Sequence, residues 1–325
     1  MSNPPRGWTA APLLPKRTFL SSDLPELDQA DLTLPRIVSL LPAGTEIVAA
    51  LGAVDDLVGR SHECDFPPRV RELPIVSKPS LALDGLSQAE IDTAVTVHMG
   101  TGESLYVVDE RILNELAPDI VLTQDLCQVC APSGNELSRA LTSVSSKPSV
   151  LYLTPRTLDE IDENILDVGE AIGRGAEAAR IVDHNRARVR EWRFAAARRT
   201  HRPRVTFLEW TDPPFCAGHW VPEMIELAGG VDRLARPGAD SVRVSWDDIR
   251  AWNPEVVIVA PCGFGLADAE RLARDLPPLG DACIVPVDAN AFFARPGPRY
   301  VEGIEVLSRA IGQLDPRSNM SLPDA

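Results

Sequence analysis

The sequence predicts an α/β protein: two Rossmann-like three-layer lobes joined by one long backbone helix, with a ligand cleft between them. Three observations carry that expectation. The stretch from Thr157 to Gly173 opens with a capping box, Thr157 and Glu160, and places Leu158, Ile161, Ile165, Val168 and Ile172 at helical spacing. The sequence on its two sides looks alike. Finally, 325 residues with 44% apolar content suffice for two cores of ordinary size.

The likeness runs in order along both flanks. Pro35-Arg-Ile-Val-Ser-Leu40 is echoed by Pro203-Arg-Val-Thr-Phe-Leu208, and Glu46 to Gly52 by Glu223 to Gly229. Val54-Asp-Asp-Leu57 matches Val231-Asp-Arg-Leu234, and Leu116 to Thr123 matches Trp252 to Val259. Two related strand–helix–strand units around one helix imply two lobes of one architecture. The boundaries follow: an extended, proline-broken arm over 1–33, a first lobe over 34–156, the connecting helix and a second helix over 157–200, a second lobe over 201–315, and a tail over 316–325.

In the first lobe, strands are expected at Arg36 to Leu41, Leu57 to Ser61, Ile75 to Ser77, Asp119 to Gln124 and Ser149 to Leu153. Helices are expected after Thr45, from the Ser87/Glu90 cap to Val97, from Asp109 to Leu116, and from Asn135 to Val144. A highly charged helix from Ala176 to Arg199 leads into the second lobe. There, strands at Val205 to Glu209, Val256 to Ala260 and Cys283 to Val287 alternate with helices at Pro222 to Ala228 and Trp246 to Trp252, before a closing helix ending near Leu314.

The net charge of −15 argues against a nucleic-acid backbone as partner. No targeting segment is visible near Met1 and no run of 18 apolar residues occurs, so the reading is a cytoplasmic protein without membrane insertion, its cysteines reduced. P-loop, G-x-G-x-x-G, H-E-x-x-H and G-x-S-x-G patterns are absent, which leaves kinase and hydrolase readings unsupported.

In open α/β sheets, ligands sit beyond the carboxyl ends of the strands. Cys64, Cys127, Cys130, Cys216 and Cys262, with His62 and His219, all fall in the loops expected there; only Cys283 lies within an expected strand. Thiolates and imidazoles converging on a cleft point to a metal or cluster site, with Cys64, Cys127, Cys130, Cys262 and His62 as ligands. The alternative is that these cysteines line the cleft as small apolar side chains. The same loops carry Phe66, Trp210, Phe215, Trp220, Phe264, Phe292 and Phe293 in a chain that is only 5% aromatic, a set suited to a large planar ligand or to packing between lobes.

Arg36-Ile-Val-Ser-Leu-Leu-Pro42 and Thr45-Glu-Ile-Val-Ala-Ala-Leu-Gly52, two lobes and a bridging helix resemble the helical-backbone class of substrate-binding proteins that serve ABC importers of cobalamin and siderophores. His62-Glu-Cys-Asp-Phe-Pro-Pro68, Thr123-Gln-Asp-Leu-Cys-Gln-Val-Cys130, Phe207-Leu-Glu-Trp-Thr-Asp-Pro-Pro-Phe215, Ala217-Gly-His-Trp-Val-Pro-Glu-Met224, Pro261-Cys-Gly-Phe264 and Arg295-Pro-Gly-Pro-Arg299 are similar to a cobalamin-binding branch of that class without signal peptides. The resemblance implies a corrinoid held in the cleft by aromatic side chains; the expected contacts are Pro42, Phe66, Trp210, Phe215, His219, Trp220, Phe264 and Phe292, and our reading adds a cleft thiol or His219 within reach of the cobalt. The resemblance also implies surface acids that dock a membrane permease, a contact at odds with a cytoplasmic protein. Three readings result: a binding protein for a small-molecule cargo, cobalamin, as monomer or homodimer; a metal, haem or iron–sulfur protein; and a redox enzyme built on that centre.

Overall fold

The computed structural model describes residues 34–101, 103–124, 134–142 and 144–312. From Pro35 onward the chain forms one unit built on two sheets. The first contains β1 (Ile37–Ser39), α1 (Pro42–Ala50), β2 (Leu57–Ser61), β3 (Ile75–Pro79), α2 (Gln88–Met99), β4 (Tyr106–Val108), α3 (Glu110–Leu116), β5 (Ile120–Thr123), α4 (Gly134–Thr142) and β6 (Ser149–Tyr152). Its strand order is β4-β3-β2-β1-β5-β6, parallel except for the antiparallel β3–β4 pair.

Next come α5 (Leu158–Ala171) and α6 (Gly175–Ala197), then β7 (Val205–Thr211), β8 (Pro214–Cys216), α7 (Val221–Leu227), β9 (Val242–Arg243), α8 (Trp246–Trp252), β10 (Val256–Val259), α9 (Leu266–Arg274), β11 (Cys283–Pro286), α10 (Ala289–Phe292) and α11 (Tyr300–Gly312). The second sheet is ordered β11-β10-β7-β8-β9; β11, β10 and β7 are parallel, and β8 and β9 extend the sheet antiparallel. Val-Val-Ile-Val in β10 is buried at every position, the continuous apolar run of a parallel strand covered on both faces.

The internal likeness persists at the level of atoms. The Arg36 backbone N–H donates to Asp119 Oδ2 (2.8 Å), and the Arg204 backbone N–H to Glu255 Oε2 (3.0 Å). The Arg36 carbonyl accepts from Asp119 and Ile120, as the Arg204 carbonyl does from Glu255 and Val256. Ala117 and Asn253, at matching places before these acids, both hold left-handed backbone as helix C-caps.

Helix α5 starts where the Thr157 hydroxyl accepts from the Glu160 N–H (3.3 Å) and buries Leu158, Ile161, Ile165 and Val168. Gly173, at φ +70°, turns the chain into α6. The two helices cross closely: a Cβ on Gly169 would stand 2.4 Å from that of Ala178. Helix α5 packs on α1, and α6 on α7 and α11. The largest core is consequently continuous, joining Ile37 and Leu122 of the first sheet to Phe207 and Ile258 of the second through Ile161 and Ile165.

Candidate functional site

Among the described residues, the ends of β7 and β8 and the loops leaving β1, β2, β8, β10 and β11 supply the side chains singled out above. Trp210, near the end of β7, and Phe264, beyond β10, meet edge-to-face with ring centroids 5.6 Å apart. The Trp210 indole N–H is shared between the carbonyls of Asp212 (3.1 Å) and Gln88 (3.3 Å). Cys262, two residues before Phe264, is exposed. Beneath Trp210, Glu209 accepts from the Gly218 N–H (3.2 Å) and from the Ser241 hydroxyl, which fixes the 217–220 loop. A Cβ on Gly218 would lie 2.3 Å from the Ser241 nitrogen, so only glycine lets these loops meet.

A second group spans the two sheets. Glu46, on α1 and 3% exposed, accepts from Arg299 Nε (2.8 Å) and Nη2 (2.7 Å) and from Arg295 Nη1 (3.2 Å). Arg295 also donates to Asp65 (2.6 Å). The Arg299 guanidinium lies 4.2 Å from the Phe66 ring centroid and 5.9 Å from that of Phe292. Glu46, Phe66 and Arg299, with Pro67 and Pro298, line a cavity of about 220 Å³, and Phe66 itself is 42% exposed. Pro42 opens α1 one turn before Glu46.

The remaining expected contacts separate. His219 holds left-handed backbone (φ +54°) and places Nε2 3.3 Å from Asp240, which also takes Arg156 Nη1 at 2.9 Å. Burial, reinforced by Arg156, lowers the His219 pKa and favours the neutral imidazole. Phe215 stacks under the Arg243 guanidinium (5.2 Å). Trp220 is turned inward: its ring belongs to the main core and its N–H donates to the Phe293 carbonyl (3.1 Å). Its place beyond a strand did not decide its direction.

The metal-ligand set is not assembled among the described residues, where no group of three or more His, Cys, Asp and Glu is placed to hold a metal ion. Cys64 is 1% exposed; its thiol takes the Thr45 hydroxyl (3.0 Å) and faces the Ser39 carbonyl. Burial pushes that thiol up to about 11, so it stays protonated. His62 turns to the other side, with Nδ1 3.1 Å from the Ser77 carbonyl. Cys216 ends β8, fully buried, with burial raising its pKa. Cys127 and Cys130 lie outside the described residues. The iron–sulfur expectation thus finds no support.

Sequence reasoning missed Gln88, the first residue of α2 and 5% exposed. Its Oε1 accepts from the Thr211 N–H (2.9 Å), the Thr211 hydroxyl (2.6 Å) and the Asp212 N–H (3.2 Å), joining the first sheet's domain to the second's. A glutamine directly after a capping serine reads as a solvated helix residue, so nothing in the sequence marked it.

Comparison with known proteins places this architecture. A family model described as periplasmic binding protein matches residues 37–279. The vitamin B12-binding protein of Vibrio cholerae serotype O1 is 25% identical over 275 residues, covering 83% of this chain and 86% of that one. The vitamin B12-binding protein of Yersinia pestis (strain Pestoides F) is 26% identical over 294 residues, covering 87% and 90%. Among solved structures, the periplasmic haem-binding protein RhuT from Roseiflexus sp. RS-1, in apo form, superposes with TM-score 0.65 at 23% identity, over 86% of this chain and 99% of that one. The periplasmic vitamin B12 binding protein of Vibrio cholerae superposes with TM-score 0.58 at 23% identity, over 86% and 97%.

The family match overturns the cytoplasmic location expected above, since the matched family is one of periplasmic binding proteins. The reduced cysteines expected for a cytoplasmic protein lose their basis as well. Among the described residues no helix is long and apolar enough to cross a membrane. With two sheets joined through α5 and α6, and a family match spanning both, the chain belongs to the periplasmic binding protein family.

Proposed function

We propose that this protein binds cobalamin between its two sheets, with Trp210 and Phe264 against the corrin ring and Phe66 and Phe292 at its edge. The observation that carries the reading is the Trp210–Phe264 pair at the carboxyl ends of β7 and β10, the place where open α/β sheets hold ligands. The curated relatives named vitamin B12-binding protein, which match along most of the chain, support the same cargo. Among the described thiols, Cys262, two residues before Phe264, is the exposed one.

A second reading, haem, draws on the superposed haem-binding proteins. Charge favours cobalamin. Haem carries two propionates that need cations, whereas the rim of cobalamin is made of neutral amides. Here Arg295 and Arg299 are matched by Glu46 and Asp65, Arg156 by Asp240, and Arg243 by Asp92. Guanidinium groups already neutralised in this way add little attraction for a dianion.

Titration with cyanocobalamin and with hemin, followed by visible absorbance and calorimetry, tests the reading. One cobalamin per chain is expected, and Trp210→Ala should weaken it about tenfold or more, since removing a large ring contact costs about 1.5 kcal/mol. Tighter binding of hemin, or an unaltered affinity in Trp210→Ala, would overturn it. A periplasmic location also removes the objection to a permease contact.

A further inference from the structure

We infer that the excursion between β3 and β4, with α2 at its centre, is a strap that gates the ligand site, and that Gln88 is its latch. The inference rests on the site proposed above and adds how that site opens. Its base is pinned at one place. The Ser80 N–H donates to the Leu105 carbonyl (2.8 Å), the Ser80 hydroxyl to the Ser104 carbonyl (2.9 Å), and His98 Nε2 lies 2.9 Å from the same Ser104 carbonyl. Both ends of the excursion therefore leave the first sheet together, beside the antiparallel β3–β4 pair.

The far end is held by the other lobe. Gln88 Oε1 takes the Thr211 N–H, the Thr211 hydroxyl and the Asp212 N–H, and the Gln88 carbonyl takes the Trp210 indole. One turn on, Asp92 accepts from Arg243 Nη2 of β9 (2.6 Å). Apolar burial adds little: Gln88 is the only fully buried residue of α2, and Val97 is 67% exposed. A helix held by polar contacts to the opposite lobe, with almost no core of its own, belongs to the low-stability end of a protein.

Two features keep the latch poised rather than locked. Gln88 Nε2 is buried and has no partner among the described residues, so docking leaves a donor unsatisfied and opposes the three bonds to Oε1. Gly85, at φ +79°, and Gly100 flank α2, the first holding backbone that other residues rarely adopt. The coupling to cargo is direct. The Trp210 indole that donates to Gln88 carries the ring proposed to face the ligand, and the same ring packs edge-to-face with Phe264.

Hydrogen–deuterium exchange of the ligand-free protein tests the strap without reference to cargo. Amides of α2 should exchange about tenfold or more faster than those of α5, and Gln88→Ala should speed them about tenfold again while leaving α5 unchanged. Asp92→Arg, which sets two cations against each other, should do the same, and the charge swap Asp92→Arg with Arg243→Asp should restore the slow rate. Stopped-flow mixing with cyanocobalamin then reads the gate: both association and dissociation should quicken about tenfold in Gln88→Ala and Asp92→Arg. Protection of α2 equal to that of α5, or exchange unaltered by either substitution, overturns the strap. Faster exchange with unchanged cobalamin kinetics overturns the gate. If wild-type protein ignores cobalamin altogether, the proposed cargo fails, and the exchange result still decides the strap.

Discussion

At the scale of single residues, Glu46 is the centre of an ion-pair network between the lobes. It sits almost fully buried on α1 and takes hydrogen bonds from two guanidinium groups of the opposite lobe, Arg295 and Arg299. Glu46→Ala takes its carboxylate from Arg299 and leaves Arg295 with Asp65 alone, and breaking a buried pair costs about 3–5 kcal/mol. Urea denaturation should show that loss; a change below about 1 kcal/mol would demote the network to a surface ion pair. Asp232 gives a pH signature. Burial lifts its carboxyl from 3.8 to about 6, against the opposing hydrogen bond from the Leu234 N–H. The folded state then holds the proton more tightly than the unfolded one, so the stabilisation is complete below pH 3.8 and is lost as pH rises through about 6. Asp232→Asn should flatten the stability profile across that window, with the difference between the two proteins growing toward neutral pH; parallel profiles would refute it. The candidate site was legible only in part for a reason visible in these residues. A position at or after a strand end tells where a side chain starts and not where it points: Trp210 and Phe264 stay half-buried against each other, while Cys64 and Trp220 turn into the core.

Secondary-structure elements were legible where local chemistry sets their limits. The caps at Thr157, Ser87 and Asp109 start α5, α2 and α3 at the expected residues, because each side chain accepts an N–H from the first turn. The antiparallel β8–β9 extension escaped, since Pro213-Pro214 reads as loop and β9 is two residues long. Helix α9 escaped although Leu266, Ala269 and Leu272 recur at helical spacing. Caps on two helices should nonetheless have different consequences. Thr157→Ala removes the acceptor for Glu160 from a helix inside the main core, and should lower global stability by about 1 kcal/mol in urea. Ser87→Ala removes a capping box from α2, whose only fully buried residue is Gln88. Its loss should appear as faster exchange confined to α2, with the urea midpoint unmoved. A falling midpoint in Ser87→Ala would mean that α2 unfolds with the rest of the chain.

For the whole molecule, the duplicated plan was legible because sequence repetition survives as repeated backbone contacts, Arg36 with Asp119 and Arg204 with Glu255. What repetition does not convey is how firmly the halves are joined. The main core runs from Ile37 and Leu122 through Ile161 and Ile165 to Phe207 and Ile258, so no apolar boundary separates one lobe from the other. The buried Glu46–Arg295–Arg299 network crosses the same divide. Loss of either half would expose apolar surface of its neighbour, and surface burial is the dominant favourable term in folding. Both lobes should therefore unfold in one transition, with tryptophan fluorescence and far-ultraviolet circular dichroism coincident in urea. Cargo binding sharpens the test. Cobalamin at a hundred times its dissociation constant stabilises the state that binds it by about 2.7 kcal/mol. In a single cooperative unit the entire transition moves by that amount. In two independently unfolding lobes only the first transition, the one that dismantles the site between the sheets, moves, and the two probes separate.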